Sequence, residues 1–253
     1  MSSNELLEPK LNRARAIALV LGGLALALCA AGATANPTQF YRSYLFGYLY
    51  WISVALGCLA IVMLHHLVGG GWGFVIRRLL ESGTRTILLL AILFVPLILG
   101  MSRLYSWTQP DVRAEGSSFA QVYLTPTFFL ARVAIYFGVW LLLSFFLNKW
   151  SALQDRTGNP AMLRKMGALS GPGILIYALT VTFAAVDWVL SLEPHWFSTI
   201  YGLLFIIIQA LAAMSFVIVV VMSSLLRSCP SMVVTSLTLI NPRRNPPGVF
   251  VEP

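Results

Sequence analysis

Residues 173–202 read GILIYALTVTFAAVDWVLSLEPHWFSTIYG. The first part of this stretch, 173–192, is apolar except for scattered hydroxyls and Asp187. At 1.5 Å rise per residue, a run of about 20 residues crosses the ~30 Å hydrocarbon core of a bilayer as a helix. Helix is the workable form there, because a strand edge in lipid leaves its N–H and C=O groups unsatisfied. Asp187 within the run, and Glu193 and His195 just after it, break the apolar pattern. An ionised side chain at the centre of such a helix costs about 2.5–3.5 kcal/mol on insertion scales. It persists where it is paired, lines a water-filled cavity, or handles protons and ligands.

Five further runs have the same character: roughly 16–35, 43–67, 86–104, 123–147 and 199–226. Over the whole 253 residues, 58% are hydrophobic and only 10% charged, with a mean hydropathy of +0.81. A soluble domain carries about 25% charged residues. The reading is an all-α polytopic transmembrane bundle of about six helices over 1–226, followed by a poorly ordered, Pro-rich tail at 227–253. No separate soluble domain fits beside the six runs.

The loops set an orientation. Lys10, Arg13 and Arg15 precede the first run, Arg77, Arg78 and Arg85 follow the second, and Lys149, Arg156, Arg164 and Lys165 follow the fourth. Arg227, Arg243 and Arg244 follow the sixth, whereas the alternate loops hold only Arg42, Arg103 and Arg113. Basic residues concentrate in cytoplasmic loops, so both termini are expected in the cytoplasm. The net charge of +8 has the same source; no basic run interleaved with aromatics points to nucleic acid.

Local signals refine this outline. Residues 1–35 also fit a cleavable signal peptide, with Ala33-Thr34-Ala35 as the cleavage site. In GGGWGFVIRRLLESG, residues 69–83, Trp72, Phe74, Val75, Ile76, Leu79 and Leu80 accompany Arg77, Arg78 and Glu81. This predicts either an amphipathic helix on the cytoplasmic surface or a helical extension that caps neighbouring loops. Pro96 and Pro126 should kink their helices or mark their ends, and Gly171-Pro172-Gly173 should interrupt the chain before the fifth span.

The polar residues inside the apolar runs are the functional candidates. Asp187 lies about five residues from the outer end of its run, roughly 8 Å deep; Arg132 lies about nine residues into the fourth, roughly 13 Å deep. A buried Arg needs an anionic or carbonyl partner, and Asp187 is the best acidic one. The pair serves either as a structural lock on helix register or as part of a hydrated proton or ligand route. Glu193 and His195 follow at the outer surface, where they suit either a proton relay or an ordinary interfacial turn. His65 and His66, at the cytoplasmic end of the second run, point about 100° apart on a helix, which disfavours a shared axial haem site. Tyr41, Tyr44, Tyr48, Tyr50 and Trp51 read as an interfacial belt, with quinone stacking as the alternative. Cys29, Cys58 and Cys229 form no CxxC or CxxCH, so covalent haem, an iron–sulfur cluster and a metal site all lack ligands here.

The strings SGPGILIYALTVTFAAVDWVLSLEPHWFSTIYG, HHLVGGGWGFVIRRLLESGTRT, LFVPLILGMSRLYSW and FFLARVAIYFGVWLLLSFFLNKWS together resemble the ActF-type membrane subunit of bacterial alternative complex III, within the NrfD or polysulfide-reductase-like group. The resemblance covers most of 48–222. It implies a bacterial inner-membrane subunit of a respiratory quinol:cytochrome c oxidoreductase that contributes to quinol-linked electron transfer and to proton conduction. It also implies that haem c and iron–sulfur clusters reside in partner subunits: a multihaem cytochrome, an iron–sulfur subunit and a sister NrfD-like membrane subunit. This chain would hold no cofactor of its own beyond contact with quinone or quinol. On that reading Arg132, Asp187, Glu193, His195, His65 and His66 are proton-path candidates. A non-catalytic anchor for peripheral electron-transfer subunits is the alternative. Related subunits continue with further helices, so a C-terminal truncation is expected.

Overall fold

A computed structural model describes residues 3–73, 76–114, 118–193 and 198–228. Every regular element among them is helical. The long ones are α1 (Ser3–Ala35) and α2 (Pro37–Val68), and later α9 (Pro126–Thr157), α10 (Pro160–Trp188) and α11 (Tyr201–Ser228). Between α2 and α9 the chain breaks into shorter pieces: α3 (Arg77–Arg85), α4 (Ile87–Leu93), α5 (Val95–Leu99), α6 (Met101–Leu104), α7 (Pro110–Ala114) and α8 (Ser118–Tyr123). Six segments are long and apolar enough to cross a membrane: Ala16–Ala35, Pro37–Val68, Arg77–Leu99, Pro126–Thr157, Pro160–Leu192 and Tyr201–Ser224. The chain is a multi-pass helical membrane protein.

Several helices outrun the apolar runs that announce them. The third span starts at Arg77 rather than near 86, because α3 leads directly into it. Leu80, Glu81 and Thr84 are buried, so one face of this helix packs against the rest of unit 2. Pro126 begins α9 instead of kinking it, at the position where a missing N–H costs no helical bond. Pro172 corrects the sequence reading. It lies inside a continuous α10 rather than interrupting the chain. The Ala168 carbonyl one turn back loses its donor. Nearby, Gly173 makes room for packing: a Cβ there would sit 3.0 Å from Met63 Sδ and 3.3 Å from Leu143 Cδ2.

Two compact units emerge, each built from several helices. Unit 1 comprises Met1–Trp51, Leu89–Ala134 and Val186–Ser198; unit 2 comprises Ile52–Leu88, Ile135–Ala185 and Thr199–Pro253. In unit 1 the α4–α5 junction shows how a helix break is made tolerable. Pro96 has no N–H, Phe94 donates to Ala91 O (3.4 Å), and Leu97 donates to Phe94 O (3.0 Å). The carbonyls of Leu90 and Leu93 therefore need donors from elsewhere. Tyr48 Oη donates to Leu90 O at 3.0 Å and Tyr44 Oη to Leu93 O at 2.7 Å. Tyr44 and Tyr48 are four residues apart on α2 and share one face, which matches the two carbonyls. The ring of Tyr48 continues into a buried cluster with Phe94 and Trp188.

In unit 2 one close contact is backbone on backbone. A Cβ at Gly57 would overlap the Gln209 carbonyl, so glycine is what lets α2 and α11 meet there. Gln209 is fully buried and accepts a short hydrogen bond from Tyr177 Oη. Trp140 Nε1 donates to Thr180 Oγ1 at 2.9 Å and joins α9 to α10.

Candidate functional site

Arg132 sits on α9 shortly after Pro126, and Asp187 sits at the last turn of α10. Both belong to unit 1. Arg132 Nε donates to Asp187 Oδ2 at 2.8 Å and NH2 donates to Oδ1 at 2.9 Å, a two-pronged fork. NH1 donates to the Tyr123 carbonyl at 3.0 Å, which meets one of the unsatisfied carbonyls at the end of α8. The guanidinium carbon lies 3.8 Å from the Tyr123 ring centroid and 4.5 Å from that of Phe128. Rings therefore cover the flat cation while its edge serves the carboxylate. Asp187 is 0% exposed and Arg132 7%, so the charges are withdrawn from lipid and neutralise each other.

Hydroxyls nearby serve the backbone carbonyls around the pair. Ser191 Oγ donates to the Asp187 carbonyl, and Tyr105 Oη donates to the Trp188 carbonyl at 3.1 Å. Burial, aided by the Asp187 charge, pushes the Tyr105 hydroxyl above its ordinary value, so it stays a donor. Tyr105, Trp107 and Phe129 stack against one another at 5.4–5.7 Å between ring centroids.

Glu193 follows the Leu190–Leu192 turn and is exposed, its N–H donating to Leu190 O. His195 lies outside the described residues, as does the tail from 229 onward. His65 and His66 close α2 in unit 2. Their rings are 5.7 Å apart, and Trp72 meets His65 edge-on at 5.3 Å. His65 Nδ1 and His66 Nε2 are buried without a hydrogen-bond partner among the described residues. Gly73 lies so close beneath His65 that a Cβ would run into its ring.

A second ionic cluster, also in unit 2, escaped the sequence reading. Glu81 is 4% exposed. Its Oε1 accepts from Arg77 Nε at 2.8 Å and from Ser151 Oγ at 2.6 Å, and its Oε2 accepts from Arg78 NH1 at 2.9 Å. Arg77 NH2 donates to Ser151 Oγ and Gln154 Oε1, and Arg78 pairs with Asp155. One signal was available: Ser151, Gln154 and Asp155 are three and four residues apart, and so share a face of α9. Nothing in the sequence says that this face meets α3. The Tyr177–Gln209 couple was missed for the same reason.

Tyr44, Tyr48 and Trp51 of α2 border a cavity of about 480 Å³ in unit 1, with Cys29, Ser43 and Leu90 also in its lining. Its rings offer stacking surfaces for a planar headgroup. The Tyr44 and Tyr48 hydroxyls already serve backbone carbonyls. Among the described residues, no three His, Cys, Asp or Glu side chains gather as metal ligands. No protein-family model matches the chain, and no curated protein matches it either.

Proposed function

We propose that this chain is an integral membrane subunit of a respiratory quinol:cytochrome c oxidoreductase of the alternative complex III type, working with a multihaem cytochrome, an iron–sulfur subunit and a sister membrane subunit in a bacterial inner membrane. The motif resemblance supports the family. The observation that carries the reading is the buried Arg132–Asp187 fork inside that motif. In this role the fork gives Asp187 a cationic partner within the apolar span and pins the following turn, which carries Glu193. With the basic loops on the cytoplasmic side, that turn faces outward, where protons leave on quinol oxidation. Quinol supplies the electrons; this chain's residues orient the helices and hold charge along a proton route, with Glu193 and His195 at its outer end and His65 and His66 at its inner end.

One observation favours a second reading, a membrane anchor for peripheral electron-transfer subunits. Both Asp187 oxygens accept from Arg132, as befits a lock. Asp187→Asn in the assembled complex separates the two. It keeps the shape, removes the negative charge and leaves Arg132 charged. The expected result is slower quinol-dependent turnover, or fewer protons released per electron, in complex that still assembles. Reduced assembly with normal turnover and proton release per assembled complex would favour the anchor.

A further inference from the structure

Unit 2 carries a set of cations that its acids do not offset. Its described acids are Glu81, paired with Arg77 and Arg78, and Asp155, paired with Arg78. Arg85 and Lys149 are exposed and have no acid at ion-pair distance among the described residues. They stand at the same boundary. Arg85 ends α3 just before the apolar α4, and Lys149 follows the apolar run LLLSFFLN of α9. Arg85 Nε donates to Asn148 Oδ1 at 3.1 Å, which brings the two helices together at this level.

The Arg85 side chain is held from below. Asn148 Nδ2 donates to Thr84 Oγ1 and to the Ser144 carbonyl, each at 2.8 Å, and Ser144 Oγ donates to the Thr84 carbonyl at 3.1 Å. With Nε committed to Asn148, the terminal amines of the guanidinium face no partner among the described residues. Such a fork matches the oxygens of a phosphate. Next to Asn148 in the sequence of α9, Lys149 has its ammonium 5.6 Å from the Phe145 ring centroid, and Phe146 packs against Trp150 at 5.6 Å. Phe145 and Phe146 are exposed. Cations bordering exposed rings mark the depth at which hydrocarbon gives way to headgroups.

We propose that Arg85 and Lys149 form a site for the headgroup phosphate of an anionic phospholipid, with the Phe145 and Phe146 rings against its acyl chains. Two uncompensated cations select net negative charge, and the adjoining rings select a ligand with hydrocarbon attached; a soluble anion meets only the first requirement. The site depends on the membrane-spanning helices and not on the quinol reading.

The test places the full chain in nanodiscs of equal phosphatidylglycerol and phosphatidylcholine and measures by native mass spectrometry the ratio of the two lipids retained. The wild type is expected to enrich phosphatidylglycerol. Arg85→Gln with Lys149→Gln should lower the enrichment about fivefold for each charge removed. Arg164→Gln with Lys165→Gln, an equal loss of charge elsewhere in unit 2, should leave it unchanged. Enrichment that survives the first pair, or falls equally with the second, overturns the site. So does release of the lipid by soluble glycerol phosphate. Should the first pair fail to fold, Asn148→Ala keeps both charges and frees Arg85; an unchanged ratio there overturns the anchored site.

Discussion

The two buried ionic clusters solve the same problem differently. In unit 1 Arg132 forks onto Asp187 beneath aromatic rings, and one residue reaches both carboxylate oxygens. In unit 2 Glu81 is shared among Arg77, Arg78 and Ser151, and Arg78 reaches an exposed side where Asp155 also pairs with it. A buried carboxylate held at both oxygens by one cation is brittle, because removing that partner leaves the charge in a medium that solvates it poorly. A shared cluster spreads that risk over neutral hydroxyl and amide groups and over water at its edge.

The contrast predicts a ranking. Arg132→Met should be the most damaging of these changes, destabilising the folded chain by about 3–5 kcal/mol in thermal unfolding, since Asp187 remains buried without its cation. Adding Asp187→Leu should recover most of that loss, because two apolar residues leave no stranded charge; a double variant no better than the single would place the damage in packing instead. Glu81→Gln should cost less, about 1.5–3 kcal/mol, as its charge-assisted bonds weaken while Ser151 and Gln154 still accept from Arg77. A loss equal to that of Arg132→Met would erase the distinction between the clusters. Arg78→Gln should be mildest, below about 1 kcal/mol, because that side chain is half exposed and water replaces much of what it provides.

The same contrast explains what was legible in the sequence. Asp187 and Arg132 stood out because each interrupts an otherwise apolar span, and hydrocarbon forces such residues to find one another. Glu81 did not, because RRLLE before a span reads identically whether its polar side faces water or another helix. Pro126 was readable as a boundary, since a helix start tolerates proline in any context. Pro172 was not, because an interior proline is tolerated or disruptive according to the neighbours that surround it. The Tyr44 and Tyr48 hydroxyls looked like an interfacial belt; their service to the Leu90 and Leu93 carbonyls exists only once α2 lies against the broken third span.

Composition and run length alone determined that this chain crosses a membrane as helices, because the bilayer as solvent admits few alternatives and punishes each polar residue individually. Which helices touch, which glycine admits a neighbour's backbone at Gly57, and which carboxylate is shared or sealed were decided only by tertiary structure. Those choices depend on side chains from distant segments meeting at one point, and the energy of such a meeting belongs to no single stretch of sequence.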